Sequence, residues 1–397
     1  MTDFSNTRQQ FHLPEGLVYL DGNSLGPMPK SALAVARRVI ADEWGEMLIG
    51  GWNKADWMSL PMRLGDRIGR LIGAPAGSVT TGDTLSIKVY QALASALELN
   101  PGRKTVFSDN GNFPTDLYMA EGLLKSLGED FKLKVVDPEA VADHIDDSIA
   151  VVMLTEVDYR TGRMHDMAAI TRKAHEAGAI MIWDLAHSAG AVPVDLSAAN
   201  ADFAVGCTYK YLNGGPGAPA FIYVRPDLAD RVRPALSGWL GHEAPFAFDL
   251  DYRPGAGVER MRVGTPPIIQ MAILEAALEV WEGVDMADIR IRSIELSQRF
   301  IELVEAGTDK AVLVSPRDPQ PRGSQVSFRF AEGYAAIQAL IARNVVGDFR
   351  APNIMRFGFC PLYNSLEEVE QAAGILCEIV ETGAWNRPEF RKRQAVT

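Results

Sequence analysis

The middle of the chain alternates short apolar runs with segments of helical periodicity. The apolar runs predict strands at Thr105–Ser108, Lys134–Val136, Ala150–Leu154, Ala179–Trp183 and Phe203–Cys207. Helical patterns lie between them at Thr115–Ser126 and Met167–Ala177, and Gly178 is well placed to end the second helix. Buried strands that alternate with helices predict an α/β fold with a mainly parallel sheet.

After Gln270 the pattern changes to a mixture of long helices and short strands. Helices are predicted at Leu274–Trp281, Met286–Val304 with Asp285 as its N-cap, and about Leu366–Glu381. Strands are predicted at Ala311–Val314, Gln325–Phe330, Val345–Asp348 and Ile354–Phe357. This mixture predicts a smaller α+β domain at the C-terminal end.

We therefore expect three parts. Residues 1–45 form an N-terminal segment that packs on either domain and includes most of a helix predicted over Ser31–Met47. Residues 46–274 form the large domain, and residues 275–397 form the small C-terminal domain.

Composition narrows the class of protein. The chain has 397 residues with a formal net charge of −12, which argues against nucleic acid as a main partner because phosphate backbones attract basic surfaces. It has three cysteines, without CxxC spacing, so reduced thiols in a cytoplasmic compartment fit better than a disulfide framework or a zinc site. The first ten residues are polar and no run of about 18 apolar residues exists, so neither a signal peptide nor a membrane span is expected.

A carboxylate and a lysine follow two successive predicted strands. Asp184 ends the apolar run Ile180–Trp183, and Lys210 follows the strand at 203–207. Open α/β sheets bind ligands at the carboxyl edge of their strands, so both groups are expected at one crevice. Pyridoxal phosphate (PLP) chemistry needs this pair: the amine binds the cofactor aldehyde, and the carboxylate keeps the pyridine nitrogen protonated. Taken singly, Asp184 is equally explained as a turn or helix cap, and Lys210 as a surface lysine before a glycine-rich loop.

Two further segments suit the phosphate and the ring of such a cofactor. Thr80–Ser86 precedes a helical pattern at Ile87–Leu97, and helix N-termini bind phosphate. Phe113 and Asp116 follow another predicted strand, where Phe113 could stack on a planar ring. The alternative is purely structural, with Asp83 or Thr84 capping one helix and a proline turn beginning the next.

The histidines predict no metal site. His144, His165 and His175 do not pair at ligand spacing and are expected to face solvent.

The sequence resembles the kynureninase family over nearly its whole length. The matching motifs, in the family's order, are Tyr19–Gly26 (YLDGNSLG), Phe113–Asp116 (FPTD), Asp184–His187 (DLAH), Tyr209–Asn213 (YKYLN), Gly238–His242 (GWLGH), Gly264–Pro267 (GTPP) and Pro361–Ser365 (PLYNS). The first and last motifs are quite specific to that family. The DLAH motif and the TYK sequence at Thr208–Lys210 are shared more widely with aminotransferase-like PLP enzymes. The resemblance implies a fold-type I PLP homodimer that hydrolyses L-kynurenine to anthranilate and L-alanine in tryptophan degradation.

The resemblance also implies roles for individual residues. Lys210 would bind the cofactor covalently and act as a base, Tyr209 would deliver a proton, and Asp116 is a candidate to activate water. The residues expected to bind the cofactor are Leu85, Ser86, Phe113, Asp116, Thr155, Asp184, His187, Tyr209 and Lys210, with Trp239 and Thr265 from the second subunit. Family members vary at the Thr265 position, where asparagine also occurs.

For the substrate, the resemblance implies that Arg356 pairs with the α-carboxylate through its planar guanidinium. Trp52 and Asn53 occupy a stretch where animal members carry a histidine that helps to select 3-hydroxykynurenine. Their presence favours kynurenine itself.

Two rival classes remain. A cysteine desulfurase-like PLP enzyme needs a mobile cysteine nucleophile, and Cys360 is the one candidate near the site, without a flexible loop around it. A regulatory protein built on a PLP-enzyme fold usually carries an added DNA-binding segment, and the chain shows no spare length or basic stretch for one.

Overall fold

The structure is a computed structural model that describes residues 2–393. Its helices are α1 (Phe4–Gln9), α2 (Ser31–Arg38), α3 (Gly51–Lys54), α4 (Leu60–Leu71), α5 (Leu85–Leu99), α6 (Pro114–Leu127), α7 (Val141–His144), α8 (Met167–Glu176), α9 (Pro226–Ala229), α10 (Ile268–Glu279), α11 (Met286–Gly307), α12 (Gly333–Ile341), α13 (Leu366–Thr382) and α14 (Pro388–Arg391). Its strands are β1 (Val18–Tyr19), β2 (Val79–Thr81), β3 (Thr105–Asp109), β4 (Lys132–Val136), β5 (Ile149–Thr155), β6 (Ile180–Asp184), β7 (Phe203–Gly206), β8 (Phe221–Val224), β9 (Val312–Leu313), β10 (Gln325–Arg329), β11 (Val345–Val346), β12 (Asp348–Arg350) and β13 (Ile354–Gly358).

A seven-stranded sheet organises the large part of the molecule. Its strand order is β2-β8-β7-β6-β5-β3-β4, and β8 alone in this sheet runs antiparallel to its neighbours. Every residue of β5 and β7 is buried, as expected for strands covered by helices on both faces. The predicted mainly parallel α/β fold is confirmed.

The C-terminal part has its own sheet and core. Strands β12, β13, β10 and β9 form an antiparallel sheet in that order, and α11, α12 and α13 pack against it around Phe300, Phe328 and Phe357. The predicted Asp285 cap is confirmed, since its side chain accepts from the Ala287 N–H at 2.8 Å. Helix α11 joins the two cores, with Ile289 in the first and Leu296 in the second.

The N-terminal segment contacts both cores rather than one. Phe11 packs in the core of the large sheet, whereas Val18 and Leu20 pack in the C-terminal core. Strand β1 pairs in parallel with β11, so residues near Tyr19 are tied to the C-terminal part. This arrangement brings the YLDGNSLG segment to the boundary between the two sheets.

Two predicted elements differ from the structure. The single strand predicted over Val345–Asp348 is two strands, because the chain changes sheet at Gly347, where a Cβ would lie 2.8 Å from the Arg356 carbonyl oxygen. The helix predicted over Ser31–Met47 is α-helical through Arg38 and continues as a π-helical segment over Val39–Glu46.

Candidate active site

The two groups singled out for their chemistry lie at one edge of the large sheet. Strands β6 and β7 are neighbours and run parallel, so Asp184 at the end of β6 and the segment after β7 emerge on the same side. Lys210 lies beyond β7 and is half-buried. The predicted placement of a carboxylate and an amine on adjacent strands is confirmed.

A cavity of about 190 Å³ opens at this edge. Its lining comes from α5, α6, the ends of β5 and β6, and the segment after β7: Leu85, Ser86, Phe113, Thr115, Asp116, Thr155, Tyr159, Asp184, Ala186, His187, Tyr209 and Lys210. Larger grooves exist elsewhere on the described surface, but this cavity combines an amine, two carboxyls and an imidazole. Nine residues expected to bind a cofactor line this one cavity.

Lys210 and His187 are in direct contact. The Lys210 Nζ lies 2.9 Å from the His187 Nε2. Burial, together with the positive charges of Lys210, Arg356 and Arg350, holds the pKa of His187 well below its ordinary value. The imidazole is therefore neutral, and its Nδ1 is buried without a hydrogen-bond partner in the part of the chain that the structure describes.

Asp116 and Asp184 are two buried carboxyls that face each other beside Lys210. Burial raises the pKa of Asp116 well above its ordinary value, and the adjacent Asp184 raises it further. Asp184 Oδ1 accepts from the Ala186 N–H at 2.9 Å, whereas Asp116 Oδ2 is buried without a donor among residues 2–393. Two adjacent buried carboxyls avoid a double negative charge by sharing a proton.

The shared proton gives a testable dependence of stability on pH. Because the folded-state pKa of Asp116 is raised, folding gains stability from its protonation at low pH and loses it as the pH rises above the unfolded value of about 4. We expect the free energy of unfolding of Asp116→Asn, without added ligand, to increase relative to that of the wild type by about 1–3 kcal/mol as the pH increases from 5 to 9. Chemical denaturation across this range measures the effect, with the exposed Asp143→Asn as control. A stability difference that does not change with pH would contradict the shared proton.

The cavity has a helix N-terminus at one end. Leu85 and Ser86 occupy the first turn of α5, where backbone N–H groups have no intrahelical acceptor. Thr84 is the N-cap of α5, and its side chain accepts a hydrogen bond from the Ile87 N–H. The helix-capping role predicted for Asp83 or Thr84 therefore belongs to Thr84. Capping by Thr84 leaves the Leu85 and Ser86 amides available to an anion.

Aromatic side chains form one wall of the cavity. Phe113 is 41% exposed and meets Tyr159 edge-on, with ring centroids 5.1 Å apart. Phe113 is also the N-cap residue of α6, before Pro114, so the proline-turn alternative holds for the backbone while the ring lines the cavity. The neighbouring Cys207 and burial raise the pKa of Tyr209, which keeps its phenol protonated.

Arg356 is deeply buried on β13, one residue behind the cavity wall. Its Nε donates to Asp348 Oδ1 at 2.6 Å, its Nη2 contacts Asp348 Oδ2, and its Nη1 donates to the Tyr159 carbonyl oxygen. Asp348 is its direct cross-strand partner on β12. Tyr159 lines the cavity, so the guanidinium contacts a residue of the cavity wall without lining the cavity itself.

Four other expected site residues lie outside the lining of this cavity. Trp239 is 39% exposed and Thr265 is exposed, as contacts with a second subunit require. Trp52 packs edge-on against Trp57 at 5.8 Å between ring centroids, and Asn53 is exposed. The single chain does not bring these four to the Lys210 cavity.

The expectation that the histidines face solvent is wrong for His165. Its side chain is buried, and its Nε2 lies 2.7 Å from Asp109 Oδ2 beneath the end of β3. His175 is partly buried and contacts Asp202 at 2.7 Å, while His144 is exposed as expected. His165 and His175 are each held by a carboxylate that is distant in sequence. The sequence around a histidine does not reveal such a partner.

Several residues of the site were missed by sequence reasoning. Tyr159 and Thr115 line the cavity, and Ser24 and Asp348 contact Arg356. Tyr159 follows β5 at the carboxyl edge of the sheet, which is a signal that could have identified it. Ser24 and Asp348 are recognisable only from tertiary contacts.

Comparison with known proteins gives relatives along the full chain. A kynureninase from Pseudomonas fluorescens is 52% identical over 98% of this chain and 95% of its own length, and one from Burkholderia pseudomallei is 50% identical over the same shares. The family model of the kynureninase C-terminal domain matches residues 289–376.

Solved structures show the same fold at lower identity. The cysteine desulfurase of Thermococcus onnurineus NA1 superposes with a TM-score of 0.79 at 20% identity, covering 96% of this chain and 99% of that one. A C-DES mutant with glycine covalently linked to the PLP cofactor gives 0.79 at 18% identity, covering 95% and 100%. These likenesses concern the fold alone.

Proposed function

The chain belongs to the kynureninase family, and from that premise we propose that the Lys210 cavity is its active site. The protein is a PLP-dependent hydrolase of kynureninase type, which cleaves L-kynurenine with water to anthranilate and L-alanine. The observation that carries the assignment of the site is the grouping of Lys210, Asp184, His187 and Asp116 around one cavity at the carboxyl edge of the sheet.

The residues present fit PLP. Asp116 Oδ2 and His187 Nδ1 are buried polar atoms without partners among the described residues, which a polar cofactor would satisfy. Leu85 and Ser86 would hold its phosphate at the α5 N-terminus, and Phe113 would cover its ring. Trp239 and Thr265 of a second subunit would complete the phosphate site. Thr155, whose Cα pairs with that of Asp184 on the neighbouring strand, would contact the cofactor.

Bound PLP supplies an electrophilic aldehyde and a protonated ring that stabilises negative charge on the substrate's α-carbon. The chain's residues supply the proton movements. Lys210, held between His187 and the two carboxyls, takes the proton from the substrate Cα. Asp184 keeps the ring nitrogen protonated, and the protonated Tyr209 phenol gives a proton near the substrate carbonyl. Asp116 would accept a proton from the attacking water, a role that requires its ionised form and therefore the release of the proton that it shares with Asp184.

Arg356 binds the substrate's α-carboxylate in this proposal. Asp348 binds its Nε–Nη2 edge, so the carboxylate would have to approach the Nη1–Nη2 edge, which contacts the Tyr159 carbonyl oxygen and Ser24 Oγ. Trp52 and Asn53 would select the aromatic ring of the substrate, which favours kynurenine over 3-hydroxykynurenine.

The desulfurase alternative is disfavoured by the state of Cys360. Its side chain is 1% exposed, and burial raises the pKa of its thiol to about 12. A neutral, enclosed thiol is a poor nucleophile. The test is to offer the PLP-loaded protein L-kynurenine and L-cysteine separately. We expect alanine from the first and no sulfide from the second, whereas the reverse pattern would favour the desulfurase reaction.

We also propose that the active form is a homodimer. A row of exposed apolar side chains lies along the N-terminal helical segment, including Leu33 at 70%, Trp44 at 59% and Ile49 at 82% exposure. Exposed apolar patches of this kind mark protein interfaces.

Ile49→Asp is expected to give a monomer that binds PLP at least about tenfold more weakly, because dimerisation and cofactor binding stabilise each other by linkage. Sedimentation velocity with and without PLP measures both effects. Ile291→Asp is the matched control, since Ile291 is 68% exposed on α11, away from this row. An Ile49→Asp monomer with wild-type PLP affinity would contradict a shared cofactor site.

We also propose a cellular compartment and a pathway for the enzyme. All three cysteines are free thiols, which supports a reducing, cytoplasmic compartment. No helix within residues 2–393 has the length and apolar character needed to cross a membrane. With L-kynurenine as substrate, the enzyme would act in tryptophan degradation.

A further inference from the structure

The guanidinium expected to bind the substrate carboxylate is already in an ion pair. Arg356 and Asp348 are 1% and 3% exposed at their side chains, and two nitrogens of the arginine contact both oxygens of the aspartate. The Arg356 side chain also holds Asp348 in its ionised form, since the pKa of Asp348 is lowered despite burial. Such a pair has no net charge, so by itself it attracts an incoming anion weakly.

A second arginine lies on the same carboxylate. Arg350 Nη2 is 2.9 Å from Asp348 Oδ2, and it also approaches Ser24 Oγ at 3.4 Å. Ser24 Oγ in turn accepts from Arg356 Nη2 at 3.1 Å and donates to Asp348 Oδ2 at 2.6 Å. The two guanidiniums therefore share one carboxylate and one hydroxyl, and the cluster carries one net positive charge.

Asp21 is a further carboxyl that faces this cluster. Burial and then the charge of Asp348 raise its pKa to about 7, against the opposing effects of Arg356, Ser24 and Arg350. The raised pKa of Asp21 favours its protonated form as the pH falls, and with Asp21 protonated the net charge of the cluster stays positive. Its Oδ1 is buried without a partner in the part of the chain that the structure describes.

The field of Arg350 reaches the reacting groups. Burial lowers the pKa of His187, which lines the Lys210 cavity, and the positive charges of Lys210, Arg356 and Arg350 lower it further. Arg350 is also accessible, with 35% of its side chain exposed, whereas Arg356 is enclosed. A charge that is felt at His187 is also felt by a carboxylate bound beside it.

We propose that Arg350 is a specificity-determining residue of the carboxylate subsite. It supplies the net positive charge that the Arg356–Asp348 pair lacks, and it makes the site select a substrate with a free α-carboxylate. Arg356 sets the geometry of binding, and Arg350 sets the charge. This inference rests on the proposed assignment of Arg356 to the substrate carboxylate.

The test compares L-kynurenine with kynuramine, its decarboxylated form, on PLP-loaded protein at pH 6. We expect Arg350→Gln to raise KM for L-kynurenine by about tenfold, with kcat changed less than about twofold. Its affinity for kynuramine and for PLP, from absorbance titrations, should match the wild type. Arg350→Lys should restore most of the affinity because it keeps the charge, and Arg350→Met is a second neutral variant if the glutamine variant folds poorly.

Arg343→Gln is the matched control, because Arg343 is a half-exposed arginine paired at 2.9 Å with Glu378 away from the site. Wild-type KM for L-kynurenine in folded Arg350→Gln or Arg350→Met would overturn the proposal. Equal losses for L-kynurenine, kynuramine and PLP would also overturn it, because they indicate a structural role. If the wild type itself releases no anthranilate, the proposed function fails, and that result is distinct from either of these.

Discussion

Replacing Lys210 with alanine is expected to lower kcat/KM for L-kynurenine by at least about ten-thousandfold, because the variant loses both the covalent attachment of the cofactor and the base at the substrate Cα. The loss has an electrostatic part as well. Burial raises the pKa of both Asp116 and Asp184, and the Lys210 ammonium opposes that rise. Without it, the two carboxyls bind protons more tightly, and Asp184 becomes a weaker partner for the ring nitrogen.

The measurements are the absorbance band of the bound cofactor, its loss on borohydride reduction, and the rate of anthranilate release. Lys104→Ala is a matched control, since Lys104 is 47% exposed and pairs with Asp130 on the surface. A small primary amine in the buffer should restore part of the rate to Lys210→Ala by replacing its base. A Lys210→Ala protein that keeps a borohydride-sensitive band would show that another lysine binds the cofactor.

Arg356→Lys is expected to lower kcat/KM for L-kynurenine by about a hundredfold while PLP binding is retained. Lysine keeps the positive charge beside Asp348 but loses the planar fork, whose two edges contact Asp348 and the Tyr159–Ser24 side at once. A hundredfold loss corresponds to about 2.7 kcal/mol, within the range of about 2–5 kcal/mol for truncating one partner of a buried charge pair.

The lysine variant is preferred to Arg356→Ala. Alanine would leave Asp348 buried with Arg350 as its remaining ion-pair partner, so a loss of fold and a loss of binding would be mixed. Thermal unfolding and a PLP titration separate the two effects in the lysine variant. Turnover of L-kynurenine at the wild-type rate by Arg356→Lys would show that the carboxylate binds elsewhere.

The large sheet was predictable because its strands are continuous apolar runs. Helices cover both faces of β5 and β6, so these strands contain few polar residues and are recognisable as continuous apolar runs. Some elements were not identified, among them β2, which has three residues, and α12, a nine-residue apolar segment that begins at Gly333. Short apolar runs do not distinguish a strand from a buried helix by periodicity.

The site could be predicted where its residues follow strand ends. Asp184 and Lys210 are local consequences of β6 and β7, and the resemblance to a family added the others. The partners of Arg356 could not be found in this way. Ser24 and Tyr159 are far from it in sequence. Ser24 meets it because β1 pairs with β11 and brings the N-terminal segment to the boundary of the two sheets, whereas Tyr159 follows β5 of the large sheet. Such contacts are set by tertiary packing.

The decisive measurement is anthranilate fluorescence after PLP-loaded wild-type protein is mixed with L-kynurenine, with alanine quantified in the same sample. We expect equal amounts of anthranilate and alanine, a reaction abolished in Lys210→Ala, and a yellow holoenzyme whose PLP is attached to Lys210 after reduction. A wild-type protein that binds PLP but releases no anthranilate from L-kynurenine would contradict the proposed function.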